Sequence, residues 1–304
     1  MNKSSIKVFI VVLQFNNSQD TIECLESVKE LNWPDFEAIV VDNASETKHL
    51  NSIRLFVESQ ERVGEKRFKL IVNKSNLGYT GGNNVGMKYA LENGANYILI
   101  LNPDTTVRKN LLSRLVEAMQ SRKKIGILQP AIKEGRSTFY GGGPIKWLNI
   151  HQPQSAIVPR SAIMKEGLYV MGSAMFVKKE VVEKVGLFDE RYFLYFEDAD
   201  FSLRARRAGY KIGIEKSALV CHKASSSTIS LGTPLLLRYH YRNAHLFNSK
   251  NGPLWIKISL PFWSFWIIIK QAIKLLFGVN LQTSRAILNG VVDFYKERFG
   301  KIHA

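Results

Sequence analysis

Carboxylates, amides and a histidine recur in this chain directly after short apolar runs, where a parallel sheet presents polar side chains to a ligand. Asp42 and Asn43 follow Ala38-Ile39-Val40-Val41 and can accept and donate hydrogen bonds to a base or ribose; Asp, Asn and Ser also build ordinary turns. Asp104 follows Leu99-Ile100-Leu101-Asn102-Pro103 and, with Asn102, offers hard oxygen ligands to a divalent ion bridging a diphosphate. Its other reading is the cap of the next helix. His222 closes the run Ala218-Leu219-Val220-Cys221. Alone it is a polar residue with a local partner; beside Asp104 it completes a pair suited to manganese or magnesium.

The sharpest local signal is Phe193-Leu194-Tyr195-Phe196-Glu197-Asp198-Ala199-Asp200, an aromatic run followed by three acids and then by Arg204, Arg206 and Arg207. Acids early and bases late complement a helix dipole, which explains the charge order but not the aromatic wall. Carboxylates at such a helix start can act as general base toward a hydroxyl. The stretch Asn73 to Asn84 is rich in glycine and precedes a helix through Val85, Met87 and Ala90, so its amides can approach a phosphate. It is neither a P-loop nor a GxGxxG fingerprint. Arg238 and Arg242 share a helix face near Asn243 and read as a phosphate contact or as a solvated basic face.

The elements that must position these residues alternate β-branched runs with helical patterns, the signature of a parallel sheet with crossover helices. The pattern predicts strands at Lys7 to Gln14, Glu37 to Asp42, Phe68 to Asn73 and Tyr97 to Asn102, with Ser18 capping a helix through Ile22, Leu25 and Val28. A helix at Asn110 to Ser121, a strand at Ile125 to Gln129, an irregular Gly-rich segment to Gly167 and a sheet-like run at Leu168 to Val177 follow. The first apolar run is short and lacks a cleavage site, so it reads as a buried strand rather than a signal peptide.

With 304 residues, 45% of them hydrophobic, the chain can bury a large core, and its net charge of +16 points to phosphates, anionic lipids or nucleic acid. Cys24 and Cys221 form no CxxC pair, which disfavours a disulfide framework or structural zinc and fits a reducing compartment.

Taken in order, VVLQFNNSQDTIECLESV, VVDNAS, NKSNLGYTGGNNVGM, LNPDT, VMGSAMFVKKE, GLFDERYFLYFEDADFSLRARRAGY and VCHKASSS resemble the family 2 glycosyltransferases, particularly rhamnosyltransferase-like members. The resemblance spans Ile6 to Asn243. It implies an α/β GT-A fold, a Rossmann-like mixed sheet flanked by helices, and inverting, metal-dependent transfer of a hexosyl-class sugar. On that resemblance Asp42, Asn43, Asn76, Gly78, Gly81, Asn83 and Asp104 bind the nucleotide-sugar, Asp104 and His222 hold Mn2+ or Mg2+, and Asp198 is the catalytic base. Glu197 and Arg242 are candidate acceptor or phosphate contacts. Asn102-Pro103-Asp104 departs from a strict DxD, which leaves the choice of metal open.

The expected organisation is a transferase domain over 1–250, with a nucleotide-sugar half at about 1–105 and an acceptor half at 106–250, and a helical appendage over 251–304. In the appendage Lys257, Ser264 and Gln271 fall near one face, Lys270 and Lys274 lie beside them, and the tryptophans and isoleucines lie largely opposite. Pro261 and the shortness of the apolar run disfavour a spanning helix; an amphipathic helix in a membrane interface or a protein interface fits better. The reading that results is a cytoplasmic enzyme, peripheral on the inner face of the cell membrane. It would move a sugar such as rhamnose from a UDP- or dTDP-linked donor to a hydroxyl of a glycan or lipid-linked saccharide in bacterial surface polysaccharide synthesis. Galactosyl-, galactofuranosyl- or hexosaminyl transfer fits the same scaffold. A non-catalytic nucleotide-sugar or nucleic-acid binding module is the competing class, and its nucleic-acid version rests on charge alone.

Overall fold

The computed structural model describes residues 6–64, 67–141, 143–148, 168–223 and 233–303. Four apolar runs form the expected parallel strands β1 (Val8–Gln14), β2 (Phe36–Asp42), β3 (Phe68–Val72) and β4 (Tyr97–Leu101). They are joined by α1 (Ser18–Lys29), α2 (Thr47–Arg62) and α3 (Gly78–Glu92). Asn17, not Ser18, caps α1: its side chain accepts from the Asp20 amide at 3.3 Å, while the Ser18 hydroxyl turns to His49 Nδ1 at 3.0 Å. Helix α3 begins at Gly78, so most of the glycine-rich stretch is helical instead of an open phosphate loop.

The chain continues through β5 (Thr105–Val107), α4 (Leu111–Ser121), β6 (Ile125–Glu134), β7 (Ser137–Phe139), β8 (Ala174–Lys178), α5 (Lys179–Val185), α6 (Glu197–Arg207) and β9 (Lys211–His222). Only the end of the run Leu168 to Val177 is strand; Leu168 makes a lone bridge to Pro144, and the residues between form turns. The irregular segment at 149–167 and the serines at 225–227 lie outside the described residues.

The sheet order is β3-β2-β1-β4-β8-β6-β9-β5, with β7 on β6. Strands β3, β2, β1 and β4 run parallel, β8 is antiparallel to both β4 and β6, and β9 returns parallel to β6. The chain leaves β1 toward β2 and β3 and later returns to its other side as β4, which opens a crevice at the carboxyl ends of these strands. Both faces of the sheet are covered, so alternate residues of β1 enter opposite cores. Val8, Ile10 and Val12 pack with residues of α1, α2 and α4, and Phe9 and Val11 with residues of α3, α5 and α6.

Three further helices, α7 (Thr233–Asn251), α8 (Leu254–Leu276) and α9 (Leu281–Tyr295), pack on one another. Helix α7 also packs on α6, which ties this layer to the sheet and its flanking helices.

Candidate active site

Asp42 ends β2 beside Gln14, its register partner on β1. It is fully buried; Oδ1 accepts the Ser45 amide at 3.0 Å, while Oδ2 has no hydrogen-bond partner among the described residues. Asn43 next to it braces the following loop. Its Oδ1 accepts the Leu77 amide at 3.0 Å and Asn73 Nδ2 at 3.1 Å, and its Nδ2 donates to Asn76 Oδ1 at 3.0 Å and to the Gly78 carbonyl at 3.1 Å. Asn76 Oδ1 also accepts the Gly78 amide at 2.8 Å. Gly78 has φ +73°, and a Cβ there would lie 2.5 Å from the Phe193 carbonyl, so the start of α3 can touch the aromatic run only through glycine. Gly81 and Asn83 lie within the opening turns of α3; Asn83 Nδ2 donates to the Tyr79 carbonyl at 2.9 Å and its Oδ1 is unpartnered among the described residues.

Asp104 sits in the turn between β4 and β5, and antiparallel pairing of β5 with β9 brings His222 to it. Asp104 Oδ1 and His222 Nε2 are 3.2 Å apart and both buried, yet neither completes a directed hydrogen bond. The other ring nitrogen, Nδ1, lies 2.6 Å from Glu134 Oε1. An ionised carboxylate only accepts, so Nδ1 carries the proton in that bond, and Nε2 can turn a lone pair to a cation placed between it and Asp104. Burial opposes the imidazolium, but Asp104 and Glu134 outweigh it and raise the His222 pKa. Two orphaned buried donor atoms facing one point, with the imidazole oriented from behind, fit two ligands of a divalent ion. Among the described residues no third His, Cys, Asp or Glu joins them, so diphosphate oxygens or water must complete any such sphere.

The aromatic run makes a strained turn. Phe193, Tyr195 and Phe196 have φ of 65°, 71° and 74°, a region that large side chains rarely occupy. The turn is over-determined by its neighbours. The Thr80 amide donates to the Phe193 carbonyl at 3.2 Å, Asn84 brackets Phe188 through both its amide and carbonyl, and Asn243 Nδ2 holds the carbonyls of Tyr192 and Leu194 at 2.9 and 2.7 Å. Phe196 therefore delivers Glu197 and Asp198 into the first turn of α6 in a fixed direction.

The three acids of that turn differ in surroundings. Asp198 is half-buried and accepts the amides of Ala199 at 2.7 Å and Gly172 at 3.2 Å; burial pushes its pKa up to about 6 against those bonds. Glu197 is buried with Oε2 unpartnered among the described residues, and burial followed by the neighbouring Asp198 charge lifts it well above the usual carboxylate range. The two neighbours are thereby set apart, with Asp198 the one whose carboxylate is supported by two backbone amides. Asp200 is structural: fully buried, it takes Arg204 Nε at 2.7 Å, Lys250 Nζ at 2.8 Å and Asn251 Nδ2 at 2.8 Å, joining α6 to α7.

Sequence reasoning missed the turn at 171–173, where these parts meet. Met171 donates its amide to Gln129 Oε1 at 2.8 Å, Gly172 donates to Asp198, and Ser173 accepts the Asn102 amide at 3.0 Å. Tyr79 donates its hydroxyl to the Gly172 carbonyl at 2.6 Å. Burial, then the charges of Glu197, Asp198 and Asp104, push the Tyr79 pKa far up, so this phenol stays protonated. Glu134 was missed too, since nothing local to it signals His222.

Arg242 is corrected. It is fully buried, and its guanidinium donates to the carbonyls of Gly300 at 2.7 Å, Tyr192 at 3.0 Å, and Arg191 and Arg298 at 3.3 Å, so it fastens loops and does not face acceptor or phosphate. Arg238 pairs with Asp293 at 2.6 Å and likewise leaves the site.

A mixed sheet with this crevice, carboxylates at its strand ends and an aromatic-walled acid pair define a GT-A glycosyltransferase. The chain belongs to glycosyl transferase family 2, whose model matches residues 9–186. It is 25% identical over 297 residues to the low-salt glycan biosynthesis hexosyltransferase Agl10 of Haloferax volcanii, covering 96% of this chain and 92% of the relative. It is 24% identical to the dTDP-rhamnosyl transferase RfbF of Shigella flexneri, covering 83% of each chain. The fold also matches the mannosyltransferase PcManGT from Pyrobaculum calidifontis, solved in complex with GDP-Man and Mn2+, with a TM-score of 0.57 and 12% identity over 96% of this chain and 88% of that one. The protein is a glycosyltransferase.

Proposed function

We propose that the protein transfers a sugar with inversion from a UDP- or dTDP-linked donor to a hydroxyl of a glycan or lipid-linked saccharide, in the synthesis of bacterial surface polysaccharide. The observation that carries this reading is the set of buried polar atoms at the carboxyl edge of the sheet that have no hydrogen-bond partner among the described residues: Asp42 Oδ2, Asp104 Oδ1, His222 Nε2 and Glu197 Oε2, with Ser173 Oγ. Buried polar atoms are nearly always paired in folded proteins, so a group of them awaits a polar ligand. Asp42 receives the base, and Asn43 and Asn76 hold the loop that encloses the nucleotide. Because Asp42 is fully buried, the loops after β1 and β2 part to admit the base. Rhamnose is favoured by the likeness to RfbF, and another hexose by the likeness to Agl10.

Asp104 and His222 would hold Mn2+ or Mg2+, which when bound neutralises charge on the leaving diphosphate. The remaining chemistry belongs to the protein. Asp198 takes the proton of the acceptor hydroxyl while its oxygen bonds to the sugar C1. The C1–O bond to diphosphate breaks on the opposite face, and the electron pair leaves with the diphosphate. One displacement inverts C1. Glu197 Oε2 meets a polar group of the substrate, while the Phe193 to Phe196 turn walls the acceptor side. In this reading residues 1–105 hold the donor and 106–250 the acceptor, and the enzyme works in the cytoplasm at the inner face of the cell membrane.

The direct test is thermal denaturation with uridine, thymidine, guanosine, adenosine and cytidine diphosphates, each with and without Mn2+ or Mg2+. A metal-dependent rise with the uridine or thymidine nucleotide is expected. No response to any of them would overturn the reading.

A further inference from the structure

The outward face of α8 is apolar along its whole length. Ile258, Phe262, Phe265, Ile269 and Leu276 recur at helical spacing and are 60%, 73%, 64%, 38% and 81% exposed, with Trp266 beside them at 62%. The polarity of the helix is the reverse of a soluble surface helix. Ser264 and Gln271, the polar stripe legible in the sequence, are buried against the protein. Ser264 Oγ lies 3.1 Å from His245 Nε2 of α7 and accepts the Tyr295 hydroxyl of α9 at 2.8 Å, and these bonds set the rotation of α8. With about 3.6 residues per turn, Lys257 falls on one flank of the apolar stripe and Lys270 on the other. A soluble monomer rarely leaves so continuous an apolar surface in water.

We infer that this face is a docking surface for an anionic lipid bilayer, with α8 lying in the membrane plane. Aromatic rings and aliphatic chains enter the headgroup–acyl boundary while the flanking lysines meet lipid phosphates. Charge decides between lipid and a second copy of the chain. Two α8 faces packed together would bring their lysine flanks into opposition in a protein of net charge +16, whereas anionic headgroups neutralise them. Packing decides between lying in the membrane and crossing it. Ile256, Leu260 and Ile267 are buried within the helical layer, and a crossing helix would have to give up those contacts and the Ser264 bonds.

The surface is also mechanically close to the acids. Helix α7, directly behind α8, stacks His240 on Tyr195 at 4.1 Å and grips the aromatic turn through Asn243. Docking on α8 therefore fixes the orientation of the acceptor side relative to the bilayer. This goes beyond the transfer reaction, and its test uses no donor sugar, so its failure would leave the transferase reading intact.

The full chain is mixed with vesicles of phosphatidylcholine alone or with phosphatidylglycerol, and binding is read by sedimentation and by tryptophan fluorescence. Strong binding with a blue shift is expected on the anionic vesicles, released by alkaline carbonate. The variant Phe262→Ser, Phe265→Ser, Trp266→Ser changes exposed side chains only; circular dichroism and nucleotide-induced stabilisation verify its fold. It should lose at least 100-fold in partitioning, and Lys257→Gln, Lys270→Gln should lose at least 10-fold on anionic vesicles alone. Absence of binding by the parent chain, or unchanged binding by the serine variant, would overturn the inference. So would a lipid-free dimer in sedimentation equilibrium that the serine variant dissociates, or resistance to carbonate.

Discussion

Neighbouring carboxylates at 197 and 198 lie in different surroundings. Asp198 is braced by the amides of Gly172 and Ala199 and titrates at about 6, while Glu197 lies deeper, with Oε2 unpartnered among the described residues, and burial and the Asp198 charge lift its pKa well above the usual carboxylate range. A base acts only as the carboxylate. Turnover should therefore be full above pH 7 and fall as pH drops through about 6, a limb readable from kcat/KM against pH. Asp198→Asn should cost about 10²- to 10⁴-fold in kcat while the nucleotide still binds; unchanged turnover would remove Asp198 as the base. Behind His222, Glu134 holds the proton on Nδ1 and leaves Nε2 free for a ligand. Glu134→Gln should weaken Mn2+ binding by about 10- to 100-fold, measured by titration calorimetry with the diphosphate present.

Elements place these groups through bonds that the motifs do not announce. The third acid of the Glu197-Asp198-Ala199-Asp200 run joins α6 to α7 by way of Arg204, Lys250 and Asn251. Breaking a buried ion pair by removing one partner strands the other charge, so Asp200→Ala should destabilise the protein by about 3–5 kcal/mol. A lower denaturation temperature with the catalytic pH limb preserved at permissive temperature would establish that role. Most of the nucleotide half was legible at this scale, because both-sided burial turns strands into continuous apolar runs, as in Ile39-Val40-Val41 and Ile98-Leu99-Ile100. The start of α3 was not: glycines that looked like a phosphate loop serve a close helix approach, with Gly78 against Phe193.

At the scale of the whole molecule, donor binding and folding are linked. Free ligand at about 100 times Kd adds about 2.7 kcal/mol to stability, enough to move the denaturation midpoint by several degrees and to rank the nucleotides. The sequence by itself determined the family and the positions of the strands of the first half, and it singled out Asp42, Asp104, Asp198 and His222 as candidates, because ordered motifs at strand ends are local signals. Only the tertiary structure decided what faces what. Glu134 reaches His222 across 88 positions of chain, Tyr79 reaches Gly172 across 93, and Arg242 is drawn into the interior by carbonyls from two distant loops. The same holds for α8, whose periodicity separates a polar stripe from an apolar one, while only packing against His245 and Tyr295 selects the polar stripe as the buried side. A periodic pattern states that a helix has two faces; the partners available in the folded chain choose which of them meets water.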